Sequence, residues 1–275
     1  MGIFKDKIDI ITGGASGIGR ALGEELSRRG ALVILVDMNT KLLEEVANSI
    51  TEAGGRAKAA TLDVSDYEVV KKLVDDTMTQ YGRLDYIFNN AGIGVAGEAR
   101  DYSYEDWRKV IDVNLYGVVN GVAAAYPIMV KQDFGHIINT ASLAGLLPSA
   151  GVISYVASKY AIVGLSNALR VEGADLGVKV SVVCPGLIRT PILNTTKFVK
   201  IDREKSLKMA PEAISITPEK CARIILRGVE RNKATIVVTL TAKLSWLIQR
   251  ISPGLVLWMG RQSVKIMRKV VRVDD

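Results

Sequence analysis

Eight residues near the start of the chain, Thr12-Gly13-Gly14-Ala15-Ser16-Gly17-Ile18-Gly19, constrain the fold more than any other segment. An apolar run, Ile8 to Ile11, precedes them, and a helical pattern through Leu22 and Leu26 follows as far as Gly30. A second apolar run, Leu32 to Val36, then ends in Asp37. Strand, glycine turn, helix and strand in this order make a βαβ unit. Gly13 permits a tight turn, Gly17 lets backbone approach a pyrophosphate, and Gly19 lets helix and strand pack closely at an anion-binding helix start. Asp37, 18 residues beyond Gly19, is placed to accept hydrogen bonds from an adenosine ribose 2′-OH and to repel a 2′-phosphate. This favours NAD over NADP, although a neighbouring basic residue could offset the repulsion. Asp63 and Val64, after the third strand, are candidates for the adenine edge, with a capping or turn role as the plain alternative.

The alternation continues down the chain. Helices are expected at 40–53, 66–80, 104–130, 155–170 and 218–231, with strands at 57–62, 84–88, 134–140, 178–183 and 234–239. Apolar strands separated by helix-length segments predict an α/β fold, a Rossmann-like doubly wound parallel sheet with helices on both faces. Pro185-Gly186 stops the sixth strand, and a loop with a short helix at 202–209 leads to the last helix and strand. At 275 residues the chain has room for one such domain, here 1–240, plus a helical basic C-terminal extension, 241–275.

The chain's charge of +7 is unevenly placed. Residues 1–196 carry 19 basic and 22 acidic side chains, whereas residues 197–275 carry 17 and 7, so basicity belongs to one end. With only Cys184 and Cys221, neither a disulfide scaffold nor a cysteine-built zinc cluster is expected, and the single histidine, His136, excludes polyhistidine metal sites. No metal site is expected. No secretory signal pattern or uninterrupted bilayer-length apolar run stands out, so a cytoplasmic body is the default expectation.

Further motifs follow the glycine loop in order: Asn89-Asn90-Ala91-Gly92, Asn114 within Asp-Val-Asn-Leu, Ser142, Tyr155-Val-Ala-Ser-Lys159, and Pro185-Gly186. Tyr155 and Lys159 lie one helical turn apart, so a cation can favour the phenolate of an acid/base tyrosine. Together with the loop, these motifs resemble the classical short-chain dehydrogenase/reductase family over most of residues 5–240. The resemblance implies an NAD(P)-dependent oxidoreductase with Asn114, Ser142, Tyr155 and Lys159 as the catalytic set. It also implies a cofactor cleft formed by Gly13, Ser16, Gly17, Ile18, Gly19, Asp37, Asp63, Val64, Asn89, Ala91, Gly92, Tyr155, Lys159, Pro185, Gly186, Ile188 and Thr190. Thr190 would meet the nicotinamide carboxamide, and Asn114 would hold a helix kink and a relay water. A homodimer or homotetramer is further implied, with the helices of Asn114 and Tyr155 forming a common interface.

Segments 92–102, 143–153 and 187–217 should meet at the substrate end, and their apolar content favours a hydrophobic secondary alcohol or its ketone. Packing of these loops on the domain is the alternative use of the same residues. The tail carries Trp246, Trp258 and a basic stripe at Arg261, Lys265, Arg268 and Arg272. It reads as a cap on the mouth or a neighbouring subunit, a peripheral membrane element, or a nucleic-acid patch. No recognised nucleic-acid module supports the last. The rival to an enzyme is an NAD(H)-binding sensor or scaffold that associates through this tail.

Overall fold

A computed structural model describes residues 2–209 and 215–273. Seven parallel strands form the central sheet: β1 (Ile8–Thr12), β2 (Leu32–Asp37), β3 (Arg56–Thr61), β4 (Tyr86–Asn89), β6 (Gly135–Thr140), β7 (Val178–Cys184) and β9 (Thr235–Val237). Their order is β3-β2-β1-β4-β6-β7-β9, so chain direction across the sheet reverses between β1 and β4. In an open parallel sheet that reversal leaves a crevice at the carboxyl ends of the strands.

Alternation along β1 shows how both faces are covered. Ile11 joins a core with α1 (Gly17–Arg28), α2 (Thr40–Glu52) and α9 (Pro218–Glu230), whereas Ile8 and Ile10 join one with α3 (Tyr67–Tyr81). On the second face, residues 104–132 run as α4 (Tyr104–Ile111), a π turn (Asp112–Tyr116) and α5 (Gly117–Gln132), beside α6 (Ile153–Glu172). The expected helix at 104–130 is therefore interrupted at Asn114. Residues 104–132 are long and apolar enough by composition to cross a membrane, but here α5 packs on the sheet and on α3.

Two short strands absent from the sequence reading, β5 (Val95–Ala96) and β8 (Lys197–Phe198), pair in parallel outside the main sheet. They join the loops after β4 and β7. The latter loop also contains α7 (Ile192–Thr195) and α8 (Arg203–Met209). The last core strand stops at Val237 rather than 239 because Thr239 caps the next helix, its side chain accepting from the Ala242 amide at 3.1 Å. That helix, α10 (Leu240–Ile251), meets α11 (Pro253–Val270) at Ser252, with Pro253 in the first turn of α11.

His136 lies inside β6, buried, with Nε2 donating to Ser181 Oγ at 2.8 Å while that hydroxyl donates to the Lys233 carbonyl. Burial lowers its pKa to about 3, so it is a neutral structural residue. Cys184 and Cys221 are buried free thiols.

Asp9 is unusual: fully buried in β1, with neither carboxylate oxygen hydrogen-bonded. Burial first, then the Asp85 charge, pushes its pKa well above the usual carboxylate range, against the pull of Lys7. The folded state therefore holds a proton that the unfolded chain releases, and stability falls as pH rises from the unfolded carboxyl value toward the folded one. Asp9→Asn is expected to raise the melting temperature at neutral pH by several degrees and to flatten its pH dependence. Thermal melts across pH 4–8 would check this.

Candidate active site

The glycine turn sits at the carboxyl end of β1, where the sheet reverses. Gly13 and Gly17 have φ of +68° and +54°, conformations that disfavour side chains. A Cβ on Gly19 would lie 2.1 Å from the Gly13 carbonyl oxygen, so the start of α1 packs directly on the turn. The first turn of α1 contains no acidic residue, and the Ser16 side chain makes no capping hydrogen bond, leaving the amides there uncapped by side chains. Asp37 ends β2 beside this turn. Its carboxylate accepts from the Ala15 amide at 3.2 Å and from the Asn39 amide at 3.0 Å. Thr190 crosses from the far side, its Cβ 3.2 Å from where a Gly17 Cβ would lie. Thus a helix start uncapped by side chains, the Asp37 carboxylate and Thr190 lie around the glycine turn, an arrangement that fits a dinucleotide.

The Asn-Asn-Ala-Gly segment divides its roles. Asn89 is buried behind the cleft: its Nδ2 donates to Asn139 Oδ1 at 2.9 Å, and Gly121 of α5 packs so closely that a Cβ there would fall 2.0 Å from Asn89 Oδ1. Its placement is that of a sheet-to-helix anchor. Asn90, outside the sequence-based set, instead laces the glycine turn. Its amide and that of Ala91 donate to Thr12 Oγ1 at 2.9 and 3.0 Å, and its Nδ2 donates to the Thr12 carbonyl at 3.1 Å. The adjacent asparagines were visible in sequence, but only the folded chain shows which one faces the turn.

Asp63 accepts from the Ser65 amide and hydroxyl, 2.9 and 2.8 Å, as a turn-forming residue. Val64 is buried, and its carbonyl accepts from Asn120. Pro185 accepts from the Leu143 amide. Gly186 lies against the start of α10, where a Cβ would come 2.4 Å from Thr239 Oγ1. Ile188 bridges to Ile216 and packs on the core of the first face.

Beside Gly92, where a Cβ would lie 3.3 Å from Asn114 Oδ1 and 3.6 Å from Lys159 Nζ, the side chains of Ser142, Tyr155 and Lys159 approach one another. Lys159 is buried, its ammonium donating to the Thr140 carbonyl at 2.9 Å and lying 5.3 Å from the center of the Tyr155 ring. Burial lowers its pKa to about 8. Burial raises the Tyr155 phenol, while hydrogen bonding with Ser142 pulls it down. The Ser142 oxygen accepts from the Ala144 amide at 3.1 Å, leaving its proton available to donate. Asn114 lies in the π turn, fully buried. Its Oδ1 accepts from the Ile93 amide at 2.8 Å, and its Nδ2 donates to the Ile93 carbonyl at 3.0 Å and Ser158 Oγ at 3.3 Å. Such turns often mark functional sites. Here the side chain fixes the loop after Gly92.

Residues 7–198 match the short chain dehydrogenase family. The chain belongs to that family. It is 34% identical over 223 residues to cyclohexanol dehydrogenase of an Acinetobacter species, covering 81% of this chain and 87% of the relative. Against meso-2,3-butanediol dehydrogenase of Serratia marcescens the identity is 38% over 191 residues, 70% and 75% of the two chains. A Burkholderia phymatum short chain dehydrogenase/reductase, solved in complex with NAD, superposes with a TM-score of 0.82 at 27% identity, covering 93% of this chain and 96% of its own. This protein is an NAD(P)-linked oxidoreductase of the short chain dehydrogenase fold, acting on a small organic substrate.

The three segments expected at the substrate end are hydrogen-bonded together through residues 94–97, 151 and 197–199. The Gly97 amide donates to the Gly151 carbonyl, Lys197 to Gly94, and Val199 to Ala96. Ile153, Leu187 and Leu193 remain exposed, whereas Leu143 and Leu146 pack into a core with Cys184 and Ala242. The apolar residues there thus divide between exposed loop surface and loop packing. The tail completes the arrangement: Asp202 donates its amide to the Val271 carbonyl, and Val273 donates to that of Lys200. Arg268 and Arg272 pair with Glu98 at 2.7 and 3.2 Å, and Arg272 also pairs with Asp101 at 2.8 Å. Arg268 foremost, with Arg100 and Arg272, holds the Glu98 carboxyl down to about 2 against the opposing effect of burial. Half of the expected basic stripe is therefore a latch onto the loop after β4.

Proposed function

We infer that the dehydrogenase interconverts a hydrophobic secondary alcohol and its ketone using NAD, with Tyr155 exchanging the proton. The approach of Ser142, Tyr155 and Lys159 at the mouth of the dinucleotide cleft carries this reading. A bound nicotinamide would supply the hydride acceptor for oxidation or the donor for reduction. The glycine turn, Asp37, Asn90 and Thr190 would hold the dinucleotide.

In oxidation the Tyr155 phenolate accepts the alcohol proton; in reduction the phenol returns a proton to the substrate oxygen. Ser142 donates to that oxygen and orients it. Lys159 stabilises the phenolate by charge, and the Thr140 carbonyl holds the lysine in place. Since the Asn114 side chain is engaged with Ile93, its proposed contribution is positional, and a relay water would use the backbone of the π turn. The proton exchanged at the substrate oxygen belongs to Tyr155. Oxidation, which needs the base form, should therefore accelerate with rising pH and reduction should slow; kcat/KM in both directions checks the sign.

The exposed Ile153, Leu187 and Leu193 and the relative named for cyclohexanol, itself a hydrophobic secondary alcohol, support this substrate class. Homodimerisation through α4, α5 and α6 belongs to the same reading, since Tyr104, Tyr116 and Tyr160 stand exposed there. Asp37 supports NAD. The wild type should bind NAD more tightly than NADP, and Asp37→Ser should narrow the ratio about tenfold. Titration with both reduced cofactors tests this, and a wild-type preference for NADP would refute the assigned role of Asp37.

A further inference from the structure

Residues 240–273 contain seven basic side chains and no acidic one before the closing Asp274-Asp275. Arg268 and Arg272 belong to the latch, while Lys243, Arg250, Arg261, Lys265 and Lys269 are exposed. In α10, Ala242 and Trp246 turn toward the core, whereas Leu240, Leu244, Leu247, Ile248 and Ile251 follow the opposite helical face. Those five apolar side chains are 41–74% exposed. α11 has no buried residue within its span, and Leu255, Trp258, Met259 and Ile266 are exposed beside its basic row.

At the root of this hairpin, between α9, β9 and α10, lies a cavity of about 440 Å³. Arg227, Arg231, Lys233, Lys243 and Arg250 line it, with Trp246 and no acidic residue. The Arg250 guanidinium lies 5.5 Å from the center of the Trp246 ring. A cationic recess thus adjoins an exposed apolar helix face.

We propose that the α10–α11 hairpin docks on an anionic phospholipid membrane, with the basic recess receiving headgroup phosphates. Apolar exposure alone would serve a second copy of the chain equally well, so charge decides. Two-fold pairing through the hairpin would bring both sets of exposed cations together without an acidic residue in either segment to offset them. An anionic bilayer offers the opposite charge to the basic row and recess, and an acyl boundary to the leucines and Trp258. Near such a surface each basic side chain contributes roughly fivefold to binding.

The test is vesicle co-sedimentation of the full chain with phosphatidylcholine alone and with phosphatidylcholine containing phosphatidylglycerol, with molar mass in solution measured in parallel. Binding is expected only to the anionic vesicles and should weaken with salt. Lys243→Glu with Arg250→Glu, and separately Arg261→Glu with Lys265→Glu, should each lower it by on the order of tenfold or more. Both pairs should retain the wild-type melting temperature and dinucleotide affinity. The second pair keeps the test valid if charge reversal in the recess disturbs folding. Equal binding to both vesicle types, or no binding to either, would overturn the proposal. So would a solution dimer that both variant pairs dissociate, which would assign the face to a second copy.

Discussion

Tyr155→Phe should abolish most turnover while leaving the dinucleotide cleft intact. The phenyl ring keeps its packing and its position beside the Lys159 ammonium, 5.3 Å away in the wild type, but has no proton to exchange. Removing a positioned acid/base group costs about 10²–10⁴ in rate. The loss should appear in kcat for both oxidation and reduction, with NADH affinity changed by less than about twofold if the phenol acts on proton transfer alone. A fall in NADH affinity as large as the fall in rate would instead show that the hydroxyl organises the cleft. Ser142→Ala should cost less, since it removes a polarising donor but leaves the acid/base in place.

Gly19→Ala should have the largest effect on cofactor binding. The new methyl would meet the Gly13 carbonyl oxygen at 2.1 Å and Asn90 Nδ2 at 2.8 Å. The first of these is backbone, so either α1 or the glycine turn must move. Both position the amides facing the cleft, and a displacement near 1 Å can cost about 10²-fold. NADH titration should show a loss of that order, with about 1–3 kcal/mol lower stability from overpacking. Gly164 in α6 provides the control, because a Cβ there meets nothing within 4 Å. Gly164→Ala should leave affinity unchanged and stability equal or slightly higher.

Local pattern explains why much of this molecule was legible before its structure. The βαβ start, the parallel alternation and the Tyr155-to-Lys159 helical spacing are carried by neighbouring residues, and the fold brings those motifs to one end of the sheet. Features that depend on long-range contacts were hidden. The pairing of Arg272 with Glu98 joins residues 174 positions apart. The β5–β8 pair is two residues long on each side, too short for periodicity to reveal. Asn89 and Asn90 are chemically identical neighbours, and only the folded chain shows that Asn89, the last residue of β4, faces α5 while Asn90, just beyond the strand, laces the turn. Asn114 was expected at a helix kink, but the engagement of its side chain with Ile93 required the folded loop.

The tail shows the same division in charge. Its basic stripe was visible in sequence, yet half of that stripe meets Glu98 and Asp101 on the loop after β4. The other half stays exposed with an apolar face on each tail helix. A count of charges cannot distinguish these fates, because ion-pair geometry depends on where the loop after β4 is placed.

The central claim is tested most directly by following NADH formation from NAD with a panel of hydrophobic secondary alcohols, together with NADH consumption by the matching ketones. The wild type should turn over in both directions, oxidation should quicken as pH rises, and Tyr155→Phe should fall to near background while still binding NADH. Tight NADH binding by a folded wild-type protein with no turnover across the whole panel would contradict this account and favour a dinucleotide sensor or scaffold.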